Sequence, residues 1–351
     1  MASRSRPRSC PPARPAKRYH NQVGTVSNSV VNVDELRARG WAALPASYAI
    51  PETAPTLAEA RTWCKQLAET HYENFHVASW FLPENLRPHF HAVYAYCRVS
   101  DDLGDEVGDR DASLALLDQW SEELDACYLG IARHPVFVAL AETIRACQIP
   151  KEPFADLLVA FRQDQVVTRY RNREEVLEYC RYSANPVGRL VLYTSGYSDT
   201  ELFRLSDATC SALQLANFWQ DVAPDFRDRD RIYLPQDAMA RFGVAEQMIQ
   251  DGISAGKASP AFRDLLKDQV VWARELFAEG LPLISKVDRE LALDLDLFSR
   301  GGLEILNAIE KIDYDVLAGR PSISKATKLS LAFRAVLGKL LPGLRLKSQR
   351  S

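Results

Sequence analysis

Apolar residues recur at helical spacing along almost the whole chain, from about Leu57 to about Leu341. Segments such as LAEARTWCKQLAETHYENF, SLALLDQWSEELDACYLGIA, VFVALAETIRACQI, FADLLVAFRQDQVVTRY and EEVLEYCRYS each place their apolar residues along a helix face. Alternating strand patterns are nearly absent, and no internal repeat or change in composition divides the sequence. The pattern predicts an all-α fold, a single helical domain built around a large central cavity.

Charge and cysteine usage narrow the setting in which the chain works. The net charge of −3 over 351 residues gives no reason to expect nucleic acid as a partner. The seven cysteines are scattered without a C-x-x-C pair, which favours reduced thiols and a cytoplasmic location. No apolar run approaches the roughly 20 residues that a membrane-spanning helix needs.

Both ends of the chain are basic, and they are predicted to differ from the domain between them. Residues 1–45 are rich in Arg, Ser and Pro and lack an apolar run, so we predict a disordered leader and a domain over 46–341. The basic tail, 342–351, ends the acid-free stretch KATKLSLAFRAVLGKLLPGLRLKSQR. That stretch is either a helix packed on the domain or an interfacial helix resting on the inner face of a membrane. Binding to anionic liposomes with and without the residues after Leu341 distinguishes the two.

A first cluster of acids ends the aromatic, apolar stretch HAVYAYCRVSDDLGDEVGD. On a helix, Tyr94, Arg98, Asp101 or Asp102, and Asp105 follow one another at steps of three and four and form one stripe. Carboxylates at this spacing repel each other on an ordinary helix surface. They are also oxygen ligands of the kind that a hard cation such as Mg²⁺ prefers.

A second cluster lies in CSALQLANFWQDVAPDFRDRDRIYLP. Gln214, Asn217, Asp221 and Asp225 step by three, four and four, again along one face, and the preceding turns are apolar. Burying carboxylates is costly unless they are paired or bind a metal. A single D-x-x-x-D is usually a solvated face, but two in apolar, aromatic surroundings predict a magnesium site that holds a diphosphate.

At these residues the sequence resembles the squalene/phytoene synthase family of class I isoprenoid synthases, from HYENFHVASWFLPENL to YDVLAGRPSISKATKLSL. The resemblance implies an isoprenoid-synthase-type domain that binds Mg²⁺ and a prenyl diphosphate. It makes Tyr94, Arg98 and Tyr233 candidate catalytic residues. The implied metal ligands are Asp101, Asp102, Asp105, Asn217, Asp221 and Asp225. Candidate substrate contacts, including apolar residues that would line the cavity, are His71, Phe75, Val187, Gly188, Gln214, Phe218, Gln220 and Arg231.

Two local spellings look like the hydroxysqualene synthases of bacterial hopanoid biosynthesis. SANPVGRLVL replaces an Ala-Gly-x-Val-Gly pattern usual in phytoene and squalene synthases, and Gln220 stands where most relatives carry Arg. This likeness implies conversion of presqualene diphosphate and water to hydroxysqualene and diphosphate, without NADPH; no dinucleotide-binding G-x-G-x-x-G follows a strand. The alternatives are a presqualene diphosphate or squalene synthase, a phytoene synthase, and a catalytically dead assembly factor. Two intact acid stripes speak against the last.

Four residues depart from the family pattern or have no assigned role. Pro224 is expected to bend the helix between Asp221 and Asp225. Asp230 precedes Arg231 where Gly is frequent, and the surrounding RDRD is otherwise typical of a solvated loop. Asp164 and Arg169 either form a buried ion pair or contact the substrate.

Overall fold

The computed structural model describes residues 44–70 and 83–322, and within them the all-α prediction is confirmed. The α-helices, numbered in chain order, are α1 Leu57–Thr70, α2 Arg87–Asp105, α3 Arg110–Tyr128, α4 Pro135–Cys147, α5 Glu152–Gln163, α6 Arg173–Ser183, α7 Asn185–Thr194, α8 Thr200–Gln220, α9 Val222–Arg229, α10 Gln236–Arg241, α11 Glu246–Ala255, α12 Pro260–Gly280 and α13 Arg289–Lys311. Short 3-10 helices occupy Ala46–Tyr48 and Leu281–Ser285.

Polar side chains that cap the first turn begin several of these helices. The Asp109 side chain accepts a hydrogen bond from the Ala112 amide at the start of α3, and Asn172 and Asp199 do the same for α6 and α8. Such caps satisfy amide groups that the helix itself leaves unpaired. Pro135 opens α4, a position where the missing N–H costs nothing.

One helix is shorter in the structure than the sequence pattern predicts. The segment that begins at Phe154 was expected to stay helical as far as Tyr170, but α5 ends at Gln163. After a turn the backbone becomes extended and pairs with the chain near Ile232, whose amide donates to the Thr168 carbonyl at 2.9 Å. The β-branched residues VVT favour the extended form, and these backbone groups find their partners outside α5.

The buried apolar residues form two large clusters and one small one. The first large cluster is formed mostly by α1–α5 and contains Tyr96, Trp120 and Phe137. The second is formed mostly by α6 and α8–α13 and is centred on Trp219 and Phe262. The first acid motif lies on α2, which contributes residues to the first cluster. The second acid motif lies at the end of α8, which contributes residues to the second cluster. The acids therefore meet where two apolar cores adjoin.

Helix α8 packs against α7, α12 and α13, and small residues allow the close approach. A Cβ atom at Gly280 would lie 2.8 Å from the Thr209 amide nitrogen and 2.9 Å from the Leu205 carbonyl oxygen. Gly188 of α7 is similar: its Cβ would lie 2.4 Å from the Ser206 hydroxyl oxygen. These contacts fix the position of the helix that carries the second acid motif.

Residues 1–43, 71–82 and 323–351 lie outside the described part of the chain. The predicted leader and C-terminal tail, with the choice between packed and interfacial helix, are therefore untested. The candidate residues His71 and Phe75 are also outside it. Across 44–70 and 83–322, no helix combines the length and the apolar character needed to span a bilayer.

Replacing Gly280 with Ala should destabilise the protein by about 1–3 kcal/mol, because the new methyl group meets backbone atoms of α8 that cannot rotate away. Gly301→Ala is the matched control, since a Cβ at this position in α13 would meet nothing within 4 Å. Alanine is the better helix former, so the control should be neutral or slightly stabilising. Urea unfolding followed by circular dichroism measures both; equal midpoints would contradict the packing argument.

Candidate active site

Arg98 and Asp102 form an ion pair on α2 that a third residue completes. The guanidinium of Arg98 donates to both carboxylate oxygens of Asp102, with an Nε–Oδ2 distance of 3.1 Å. The hydroxyl of Tyr48, from the first 3-10 helix, donates to the same Oδ2 at 2.6 Å. Asp102 is buried, and both of its oxygens are occupied by these protein donors. It holds Arg98 in place, whereas its predicted role as a metal ligand stays a prediction.

The other two acids of the first motif face the second half of the domain. Burial, followed by the charge of the neighbouring Asp105 carboxylate, raises the pKa of Asp101 to about 6. Asp105 forms ion pairs with Arg229 at 2.7 Å and with Arg231 at 3.5 Å. Both arginines follow the second acid motif, so these contacts join the two motifs across the domain. The RDRD segment is not merely a solvated loop.

The second motif spans a break between two helices. Helix α8 ends at Gln220, Asp221 has a non-helical conformation, and α9 begins at Val222. The predicted interruption lies at Asp221 and not at Pro224: proline has no N–H and lies in the first turn of α9, where none is required. The Asp225 amide still donates to the Asp221 carbonyl at 2.8 Å, which preserves the spacing between the two acids. Burial, followed by the charge of Asp221, raises the pKa of Asp225 to about 7.

A segment after α13 covers the end of α8. Arg320 forms a two-point ion pair with Asp221, with an Nη2–Oδ2 distance of 2.9 Å. The side-chain amide of Gln220 donates to the Pro321 carbonyl at 2.5 Å, and its oxygen accepts from Arg320 at 3.4 Å. Gln220 is buried, so in this structure its polar atoms bind the chain itself. A cation distant in sequence, Arg320, thus lies beside Gln220, the position where the family resemblance leads one to expect Arg.

The acids have the chemistry that a magnesium site requires. Asp101 and Asp225 both have raised pKa values, in part because other carboxylates lie near them, and a bound cation would relieve that repulsion. Within the described residues, no group of three or more Asp, Glu, His or Cys side chains is arranged to hold a metal ion by itself. Mg²⁺ does not need such a group, since one or two carboxylates, waters and substrate phosphate oxygens complete its shell. Oxygen donors from both motifs therefore fit Mg²⁺.

An aromatic cluster lies directly behind Arg231. The rings of Phe218 and Tyr233 stack with centroids 3.6 Å apart and an interplanar angle of 5°. Tyr170 stacks on Tyr233 at 5.5 Å, and Tyr179 lies 5.7 Å from Tyr233. Burial raises the pKa of Tyr233, so its hydroxyl keeps its proton. The cluster brings together two predicted site residues and two that the sequence did not single out.

The remaining predicted residues occupy varied environments. Tyr94 is half-buried on α2, where burial raises its pKa, and Gln214 is half-buried on α8. Asn217 is exposed one turn before Asp221, and Val187 is 38% exposed at the start of α7. Gly188 lies at the α7–α8 contact, which gives it a packing role.

Asp164 is a buried carboxylate beside both the arginines and the aromatic cluster. The Tyr179 hydroxyl donates to its Oδ2 at 2.8 Å, while its Oδ1 has no hydrogen-bond partner among the described residues. Arg231 donates to its backbone carbonyl at 3.0 Å. Burial raises the pKa of Asp164 to about 7. The predicted alternative of an ion pair between Asp164 and Arg169 is wrong, because Arg169 binds Asp230 and Glu246 instead.

Three residues that bind acids of the two motifs were also missed in the sequence. Tyr48 and Arg320 reach the acids from segments far away along the chain, and Arg229 was included only in a charged run. The charged run RDRD, directly after the second acid motif, is the one available signal. Nothing in the local sequence around Tyr48 indicates its partner.

The fold and these acids define a class, the all-α isoprenoid synthases. A model of the squalene/phytoene synthase family matches residues 68–327. The chain belongs to the squalene/phytoene synthase family, whose members use prenyl diphosphates. The resemblance seen in the acid motifs is thereby confirmed.

Individual relatives fall on several branches of this family. The chain is 35% identical to hydroxysqualene synthase of Rhodopseudomonas palustris over 244 residues, which cover 69% of this chain and 80% of that protein. It is 29% identical to a chloroplastic phytoene synthase of Cucumis melo over 319 residues, covering 88% and 74%. The crystal structure of squalene synthase HpnC from Alicyclobacillus acidocaldarius matches with a TM-score of 0.68 and 44% identity, covering 78% of this chain and 98% of that one.

Replacing Asp164 with Asn should stabilise the protein, and the gain should depend on pH. The pKa of this carboxyl is near 4 in the unfolded chain and about 7 in the folded one, so the folded state retains a proton that the unfolded state has lost. Stability from this group is therefore full below pH 4 and lost as the pH rises to about 7. The Asn variant should gain about 1–3 kcal/mol at pH 8 and little at pH 4.5.

Unfolding free energies from urea titrations at the two pH values provide the measurement. Asp264→Asn, at an exposed position of α12, is the control and should show the same small effect at both. A gain for Asp164→Asn that does not change with pH would mean that the carboxyl is ionised throughout this range.

Proposed function

We propose that the protein is a Mg²⁺-dependent hydroxysqualene synthase, which converts presqualene diphosphate and water to hydroxysqualene and diphosphate. The observation that supports it most directly is the pairing of Asp105 with Arg229 and Arg231, which brings two acid motifs and a group of cations to one place. Such a site suits an anionic leaving group held between cations. The aromatic cluster beside it suits the hydrocarbon part of the substrate.

The chain's own cations would bind the diphosphate. Arg98 is held rigidly by Asp102, and Arg229 and Arg231 approach from the other motif, so three guanidinium groups lie around the acids. Guanidinium groups match the geometry of phosphate oxygens and stay charged at any working pH. When bound at Asp101, Asp105, Asp221 and Asp225, Mg²⁺ would neutralise the charge that develops on the departing diphosphate. Arg320, paired with Asp221, would exchange this carboxylate for the phosphate oxygens.

The stacked rings of Phe218 and Tyr233 would protect the carbocation left after ionisation. Aromatic faces attract a cation through their quadrupole and exclude water. The buried Tyr233 is next but one to Arg231, so the ring lies close to the point where the charge separates. Its protonated hydroxyl is a weaker nucleophile toward the cation than a phenolate would be.

Three endings are open to the carbocation: hydride transfer, proton loss or attack by water. The likeness to a hydroxysqualene synthase at 35% identity, with the spelling SANPVGRLVL, supports attack by water. The likeness to melon phytoene synthase supports a second candidate, in which two prenyl diphosphates are joined and the cation ends by proton loss. The 44% identity to the squalene synthase HpnC structure supports a squalene-type product rather than phytoene.

Asp101→Asn and Asp221→Asn should each lower kcat by about two orders of magnitude or more, because each removes a negative ligand from the proposed metal site. Activity should require Mg²⁺ and disappear in excess EDTA. Asp228→Asn, an exposed acid on the same helix as Asp225, is the matched control. Full activity of both site variants, with unchanged circular dichroism, would refute ionisation at these acids.

The product should carry a hydroxyl group whose oxygen comes from the solvent. With presqualene diphosphate and Mg²⁺ in ¹⁸O-labelled water, and without NADPH, mass spectrometry should show labelled hydroxysqualene. The physical reason is that a cation without a hydride donor must lose a proton or accept a nucleophile. Squalene formed only when NADPH is added, or phytoene formed from geranylgeranyl diphosphate, would identify a different member of the family.

A further inference from the structure

All N–H groups of the Arg169 guanidinium donate hydrogen bonds, although Arg169 has no role in the proposed reaction. Its Nε and Nη2 donate to the two carboxylate oxygens of Glu246, both at 2.9 Å. Nη2 also donates to Asp230 Oδ1 at 2.8 Å, and Nη1 donates to the carbonyls of Asp230 and Thr168. These contacts use all five N–H donors of an arginine, a set that lysine cannot reproduce.

Arg169 binds Asp230, which has an unusual backbone conformation. Asp230 ends α9 in the left-handed region, with φ 50° and ψ 37°. Residues with a Cβ rarely adopt this conformation; glycine does so freely and Asp tolerates it. The Asp230 side chain is 78% exposed, so local packing does not hold it there. Arg169 is bound to both its carboxylate and its carbonyl.

This turn decides where two arginines of the site point. Arg229 and Arg231 flank Asp230, and their guanidinium groups both meet Asp105. If the turn relaxed to another conformation, the chain direction after α9 would change and the two side chains would separate. The backbone pairing of Ile232 with Thr168 lies next to Arg169, so the same segment fixes the turn from both sides.

We propose that Arg169 is a positioning residue: by clamping the left-handed turn at Asp230 to Glu246, it holds Arg229 and Arg231 together for the diphosphate of the substrate. The inference rests on the proposed function, since it assumes a diphosphate at these arginines. Arg169 itself does not contact the acids of either motif. Arg169 therefore raises the affinity of the site for the diphosphate.

The test measures binding of inorganic pyrophosphate with Mg²⁺ to the full-length protein by calorimetry. Arg169→Gln should weaken binding roughly tenfold, the size expected within one hydrogen-bonded network. With presqualene diphosphate, KM should rise by more than kcat falls. Arg61→Gln is the matched control, because Arg61 makes a similar two-point pair with Glu142 at 2.6 and 2.9 Å, away from the site.

A rescue variant separates positioning from general destabilisation. Glycine adopts the left-handed turn without an anchor, so adding Asp230→Gly to Arg169→Gln should recover most of the lost affinity, although it adds no contact. Absence of rescue, or unchanged binding in Arg169→Gln, would overturn the inference. If Arg169→Gln does not fold, Arg169→Lys retains the charge but not the five donors, and it should show the same loss and rescue.

The control measurements distinguish this inference from the proposed function. A wild-type protein that binds pyrophosphate and ionises prenyl diphosphates, with an Arg169→Gln variant that does both equally well, refutes only the positioning role. A wild-type protein that fails to bind Mg²⁺ and pyrophosphate refutes the proposed function, and the role of Arg169 with it.

Discussion

Repulsion among carboxylates that are partly buried between two apolar cores is the constraint on which the rest of the site depends. Asp101 and Asp225 ionise less readily there than in water, because burial and neighbouring acids both raise their pKa values. Arginines from three segments of the chain lie beside these carboxylates and compensate their charge. A ligand that brings its own negative charge can compete for these arginines, and one that is bridged by Mg²⁺ can also satisfy the acids. These ion pairs would therefore rearrange when such a ligand binds.

The aromatic cluster lies in the second apolar core, beside the second acid motif. Phe218 lies on α8 and Tyr233 on the extended segment after α9, so the stack joins the elements that flank the second motif. The polar and apolar halves of a prenyl diphosphate would thus be recognised by side chains only a few positions apart. Asp164 lies between the arginines and the aromatic cluster, and one of its oxygens has no hydrogen-bond partner among the described residues.

Periodicity predicted the helices well because it depends on burial, and burial in this fold is organised along helix faces. The acid motifs were also predictable, since carboxylates at steps of three and four in apolar sequence have few structural explanations. The end of α5 was not, because the extended run before Tyr170 is set by pairing with a segment near Ile232. The partners of Tyr48, Arg169 and Arg320 were beyond reach for the same reason, because only the tertiary fold brings each of them near.

These contacts join residues that are far apart in the sequence, and this separation affects how the molecule folds. Tyr48 and Asp102 are separated by 54 positions, Arg169 and Asp230 by 61, and Arg320 and Asp221 by 99. Closing such loops costs entropy that local helix formation does not, so long-range contacts of this kind tend to form after the helices have docked. We expect the site to be among the last parts of the molecule to form. Changes there should then accelerate unfolding more than they slow folding, so ligand binding would lengthen the lifetime of the native state.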